Sequence, residues 1–233
     1  MDCANCGQEI RPNQAFCTKC GTPVRQAEPP PFSPPVDRTV RSDEVADRVK
    51  AASADALAAL KKFAANPIGG LLPAFESLDK QRAMMVGIVF GAVFVLCLAL
   101  GSILAMSRLV RLGIGDILRT LVMGVVVFLS IVGASALARK VFGGTGSIEG
   151  DFFTGGASLL PLGLFALLSG LIGFAGFEII TILFVFAMCY TVLMLYTGCT
   201  QISNIPDSRA ALAVSAMLSL SMLLARIILP RIM

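Results

Sequence analysis

The stretch 83-AMMVGIVFGAVFVLCLALGSILAM-106 carries no charged residue from end to end. A bilayer's hydrocarbon core is about 30 Å thick and takes about 20 apolar residues of helix to cross, so the segment reads as a membrane span. The same measure picks out four more, at 117–138, 155–176, 178–198 and 210–229. Residues 83–233 therefore read as a five-helix transmembrane domain, and the fold class as mostly α, a polytopic helical membrane protein. The chain is 56% hydrophobic and 15% charged, with mean hydropathy +0.81. Soluble domains carry roughly 25% charged residues, and nearly all the excess oil here lies after Met84. The third and fourth spans meet at 173-GFAGFE-178, which predicts a tight antiparallel hairpin.

Ionisable residues fall at the edges of these segments. Glu178 opens the fourth, where a helix N-terminus favours negative charge, and Arg226 lies near the end of the fifth, where it can snorkel. Asp116 and Asp207 occupy expected N-cap positions, and Glu149 and Asp151 are expected in the loop 143-GGTGSIEGDFF-153. Paired carboxylates there could serve a hard cation or remain solvated. Small residues mark candidate helix interfaces: Gly87 and Gly91 in the first span, Gly170, Gly173 and Gly176 at the end of the third, and Ala211, Ser215 and Ser219 in the fifth. These faces also offer homo- or hetero-oligomer contacts.

At the other end, 1-MDCANCGQEIRPNQAFCTKCG-21 holds two CxxC pairs, Cys3 with Cys6 and Cys17 with Cys20. Each pair puts two sulfurs on one side of a tight turn, and two pairs complete a tetrahedron of thiolates for zinc. Gly7 and Gly21 follow the pairs and permit positive φ. Ile10 and Phe16 are the only sizeable core residues between them, so the metal would supply the folding free energy. Residues 1–25 thus read as a small four-cysteine zinc ribbon with structural Zn2+ on Cys3, Cys6, Cys17 and Cys20. With all four positions filled by thiolate, no coordination position stays open for a substrate water. Residues 1–25 also lack the regions of a secretory signal, which favours reduced thiolates over disulfides.

The matching residues "CANCG" and "FCTKCG", with Pro23 after them, resemble the short zinc-ribbon family found at the ends of many bacterial and archaeal membrane proteins. Residues 26–41, including 28-EPPPFSPPVD-37, read as an extended proline-rich linker. Residues 42–82 read as a cytosolic juxtamembrane helical region. Within it, 42-SDEVADRVKAASADALAALKKFAANP-67 reads as a helix, with Ser42 as N-cap and Lys61 and Lys62 in the last turn. Val45, Val49, Ala52, Ala56, Leu60 and Phe63 make its apolar stripe, for a coiled coil, a membrane surface or the chain's own spans. Asn66-Pro67 and Gly69-Gly70 stop it.

Two further stretches, 138-ARKVFGGTGSIEGDFFTGGASLLPLG-163 and 194-MLYTGCTQISNIPDSRAALAVSAML-218, resemble the Yip family of five-span membrane proteins. The likeness rests on the paired Gly143 and Gly144, on Pro161, and on a polar turn before the alanines Ala210, Ala211 and Ala213. It implies a helical membrane domain with a cytosolic N-terminal region. A zinc ribbon joined to such a domain implies a bacterial protein of the cytoplasmic membrane. The aspartate-leucine-tyrosine-glycine-proline motif of the GTPase-binding members is absent, so that partner is not carried over.

Basic flanks divide seven to five in favour of the ribbon side: Lys61, Lys62, Lys80, Arg82, Arg139, Lys140 and Arg209 against Arg108, Arg111, Arg119, Arg226 and Arg231. The positive-inside rule and the thiolates agree on a cytoplasmic N-terminus and an extracytoplasmic C-terminus. The chain has no histidine and no HExxH, GxSxG or phosphate-loop pattern, which points away from an enzyme. A net charge of +4 is too small for a nucleic-acid footprint. The function expected is a non-catalytic membrane scaffold or adaptor. Its ribbon docks an unidentified cytosolic protein, and its spans meet lipid or another membrane protein. The alternative is a small transporter or channel for a neutral or lipidic solute, with the ribbon as regulatory cap.

Overall fold

The computed structural model describes residues 42–64, 66, 69–108, 113–173 and 176–232, together with Asn5 and Cys20. The remainder of the ribbon at 1–25 and the linker at 26–41 lie outside the described residues. The chain divides into two compact units, Met1–Val45 and Ala46–Met233. Among the described residues the structure is helical, with no strand: α1 (Ser42–Ala64), α2 (Leu71–Glu76), α3 (Lys80–Met106), α4 (Ile114–Val141), α5 (Ile148–Ile172), α6 (Phe177–Thr197) and α7 (Asp207–Ile232). A π-helical turn, Gly198–Ile202, extends α6. Five of these helices, α3 to α7, are long and apolar enough to cross a membrane. In hydrocarbon every backbone N–H and C=O must find its partner within the chain, and an unbroken helix provides that.

The most extensive helix–helix interface joins α3 to α5. Three contact points repeat every seven residues on both helices: Gly87 with Gly156, Phe94 with Gly163, and Gly101 with Gly170. A Cβ placed on Gly156 would strike the Gly87 carbonyl, and one on Gly170 the Gly101 carbonyl. The contacts advance in the same direction along both chains, so α3 and α5 are parallel. They stay in touch over about 21 Å, from the 1.5 Å rise per residue. Seven-residue spacing is the signature of a left-handed supercoil. The two residues of the expected Gly87–Gly91 pair have different partners, since a Cβ on Gly91 would meet the Phe128 ring of α4.

The first half of α5 is the centre of the bundle, with Gly150, Asp151 and every residue from Phe153 to Leu159 buried. That helix starts at Ile148, seven residues before the expected start of the third span at 155. Glu149 and Asp151 therefore belong to its first turn and not to a loop. The polar run 147-SIEGD-151 hides the start, because apolar content alone does not register a helix that begins with a cap. Ser147 supplies that cap, accepting from the Gly150 N–H at 3.4 Å. Pro161 sits inside the helix and has no N–H to offer the Ala157 carbonyl, yet the helix continues. α6 returns antiparallel to α5, with the rings of Phe165 and Phe184 5.4 Å apart. Gly173, at φ +69, ends α5, and Arg108 donates to the Leu171 carbonyl at 2.8 Å, a cation on orphan helix-end acceptors.

Two smaller expectations are corrected. Asp116 is not the N-cap of α4. It lies inside the first turn, and its carboxylate reaches back to accept the Gly113 N–H at 2.9 Å. Ala211, Ser215 and Ser219 are exposed, while α7 turns Ala210, Ala213, Val214 and Met217 to the core. The buried set recurs at i, i+3, i+4 and i+7, one face of the helix, and Ala211, Ser215 and Ser219 fall on another.

Substituting Gly156 with alanine should destabilise the detergent-solubilised protein by ~1–3 kcal/mol, the range for overpacking, and lower the thermal midpoint. Gly133, where a Cβ meets nothing within 4 Å, should accept alanine with no loss, or with the small gain expected of a helical Gly→Ala change.

Candidate functional site

Among the described residues, the inner core contains one buried charge cluster, built from α4 and α5. Ser135 and Arg139 are four residues apart on α4 and so share a face. Both reach Asp151, which is fully buried. Ser135 Oγ donates to Asp151 Oδ1 at 2.8 Å, and Arg139 donates to Asp151 Oδ2 from Nε at 3.1 Å and Nη2 at 2.9 Å. The remaining guanidinium edge is also used, with Nη1 donating to the Gly146 carbonyl at 2.7 Å. The first turn of α5 adds a favourable helix-end field for the carboxylate.

The loop between α4 and α5 folds over the turn between α6 and α7. Gly146 N–H donates to the Ser203 carbonyl at 3.1 Å, and a Cβ on Gly146 would lie 2.6 Å from Ser203 Cα. Gly143 takes φ +80 and Asn204 φ 51, so both connections need residues that tolerate the left-handed region. Arg139 thus holds three things at once: its own helix, the start of α5 and the glycine loop. A carboxylate with its donors so occupied has no acceptor turned to water or substrate. Its chemistry here is that of a clamp.

The second feature is the seat of α1. From Ala52 on, its buried face is Ala52, Ala56, Ala59 and Phe63, while Val49 of the expected stripe is exposed. The helix runs alongside α3 in the same direction. Asp55 lies opposite Arg82 at 3.9 Å, and the Phe63 and Phe90 rings meet edge-on with centroids 5.6 Å apart. Tyr190, from the middle of α6, donates its hydroxyl to the carbonyls of Phe63 and Ala64 at 2.8 and 3.0 Å. Those are orphan acceptors at the end of α1, so α6 supplies the C-terminal cap of α1. Past that end, the Asn66 side chain accepts from the Gly69 N–H at 2.8 Å. α2 then seals the base, with Leu71 and Ala74 fully buried and Phe75 against Phe153. Of the three partners open to the apolar stripe, the chain's own spans take it.

Of the four expected zinc ligands, Cys20 is exposed in a turn, and Cys3, Cys6 and Cys17 lie outside the described residues. The donor set itself fits zinc: four soft thiolates in two CxxC pairs satisfy a closed tetrahedral site. Among the described residues, no group of three or more cysteine, aspartate or glutamate side chains could hold a metal ion.

Residues 3–24 match the zinc-ribbon domain family. No curated protein sequence and no solved structure matches the chain. The molecule is an integral membrane protein of five apolar helices. It carries a zinc-ribbon domain at its N-terminal end.

Sequence alone puts Arg139 on a flank and Asp151 in a loop, and so does not pair them. Two local signals are available: the Ser135–Arg139 spacing on one helix face, and Ser147 as a cap that carries Asp151 into the first helical turn. Tyr190 has no signal, since nothing in its neighbourhood marks a hydroxyl that serves a helix 126 residues away.

Removing one member of a buried ion pair strands the other. Asp151→Ala should cost ~3–5 kcal/mol, read as a lowered denaturation midpoint in detergent. Adding Arg139→Leu to Asp151→Ala should recover a good part of that loss. Strictly additive losses would show that the two side chains are not coupled.

Proposed function

We propose that this protein is a non-catalytic membrane scaffold or adaptor. The N-terminal ribbon, with zinc held by Cys3, Cys6, Cys17 and Cys20, presents a protein-docking surface. The five-helix domain, Yip-like and bacterial in this reading, anchors that surface and engages lipid or another membrane protein. The N-terminus lies in the cytoplasm. Bound zinc supplies folding free energy to a domain too small to fold alone, and four thiolates leave it no open position for chemistry.

The observation that carries this reading is how the buried ion pair and the Tyr190 hydroxyl are spent. Asp151, Arg139 and Ser135 satisfy one another, and the Tyr190 hydroxyl caps α1. Groups arranged in this way hold helices in place; a coupled transporter needs ionisable groups free to load and unload. The exposed stripe Ala211, Ser215 and Ser219 on α7 offers the close approach that a second membrane helix would use.

The test compares the full chain with its Cys17→Ser variant, both purified from native membranes. The wild type should carry one zinc per chain by elemental analysis and capture a reproducible set of soluble proteins. The variant should lose the metal and that set together, while its membrane domain keeps its thermal midpoint. Undiminished zinc in the variant would refute the ligand set. Unchanged capture without zinc would refute docking through the ribbon.

A further inference from the structure

The end of α1 does not close fully onto the bundle. Below it lies a groove of about 340 Å³, the size of a small-molecule site (~300–1,000 Å³). Leu60 and Ala64 of α1 form its upper lip, Val93 and Cys97 of α3 one wall, and Leu164 of α5 the other. Tyr190 stands at the back, with its hydroxyl already turned to α1. The lining is otherwise apolar, so the occupant must be apolar too.

Three observations choose that occupant. First, the groove lies between spans α3, α5 and α6, and its outer edges, Val93 and Leu164, are 41% and 55% exposed on membrane-spanning helices. The phase that reaches it sideways is bilayer hydrocarbon. Second, Lys61 and Lys62 are exposed and lie in sequence between the lip residues Leu60 and Ala64; Lys62 Nζ also donates to the Pro73 carbonyl at 3.4 Å, which leaves two of its three N–H groups for a ligand. The register of Asp55 with Arg82 and of Phe63 with Phe90 sets them about one and a half turns inside the first span, and long stems carry ammonium groups outward from there to the headgroups. Third, α1 runs parallel to α3, so the groove descends from the lysines toward Cys97, in the direction an acyl chain takes from its headgroup.

We propose that the groove holds one acyl chain of an anionic phospholipid from the leaflet on the α1 side, with its phosphate at Lys61 and Lys62. Charge complementarity selects the headgroup, and the dry walls take the chain. This rests on the lipid-engaging arm of the scaffold reading and names its partner. It also gives α1 a role: any load that shifts α1 changes the lip of the groove.

The full chain is placed in nanodiscs containing phosphatidylglycerol with a diazirine in the distal part of one acyl chain. After irradiation, adducts are mapped by peptide mass spectrometry. They should concentrate on the peptides holding Leu60–Ala64, Val93–Cys97 and Leu164, above the equally lipid-exposed Phe184–Phe186 of α6. Val93→Trp fills the groove from an exposed position and should keep the thermal midpoint. It should reduce groove adducts about tenfold, what excluding roughly two methylenes is worth. Replacing Lys61 and Lys62 with glutamine should let phosphatidylcholine compete on equal terms. Adducts spread evenly over α6 and α7 and indifferent to Val93→Trp would overturn the proposal, and leave docking by the ribbon untouched. Conversely, movement of the labelled lipid between leaflets of proteoliposomes would sink the scaffold reading, while groove-confined adducts would still stand.

Discussion

Two helix backbones in near contact set the rest of this molecule. Between α3 and α5 there is no side chain at the crossing of Gly87 with Gly156 or of Gly101 with Gly170. In a bilayer, helices gain nothing from escaping water, and association relies on close packing of small residues. Bringing two long parallel helices this close draws α5 into the middle of the bundle, where its first half is buried on every side. α6, α2 and the end of α1 then pack around that core through Phe90, Phe153 and Met194, and α4 and α7 join it through Phe128, Ile131 and Met217.

A helix buried all round is also the place where a charge is most expensive. Asp151 is tolerated because it falls in the first turn, within reach of two donors one α4 turn apart and at the positive end of the helix. The glycine loop that follows α4 is the counterpart of this arrangement. Arg139 needs the Gly146 carbonyl, and Gly146 must sit against Ser203 to provide it. The ion pair, the loop and the turn before α7 therefore form one unit that registers four helix ends.

The five spans are legible from apolar length alone, because the bilayer imposes that length on any helix that crosses it. So is the zinc ribbon, where ligand spacing is chemistry. The start of α5 is not, since Ser147 to Asp151 read as polar loop until burial by neighbours is known. Small residues are informative in kind and misleading in place. Gly87 and Gly170 mark a true interface, while Ala211, Ser215 and Ser219 lie on the exposed face of α7. The seven-residue recurrence of Gly156, Gly163 and Gly170 is present in the sequence and is the better guide, because it repeats along one helix face. The cap that Tyr190 gives α1 and the groove beneath it arise from tertiary contact alone and leave no trace in the local sequence.

The seam itself is open to one direct measurement. A Cβ on Gly163 would lie 3.5 Å from the Cβ of the native Cys97, inside the span of about 3.5–4.5 Å that disulfides require. Mild oxidation of a Gly163→Cys variant in native membranes should therefore join Cys97 to the introduced thiol in an intramolecular disulfide, identified by peptide mapping. A new cysteine that stayed reduced, or that paired with Cys189 or with a second copy of the chain, would contradict the parallel register of α3 and α5.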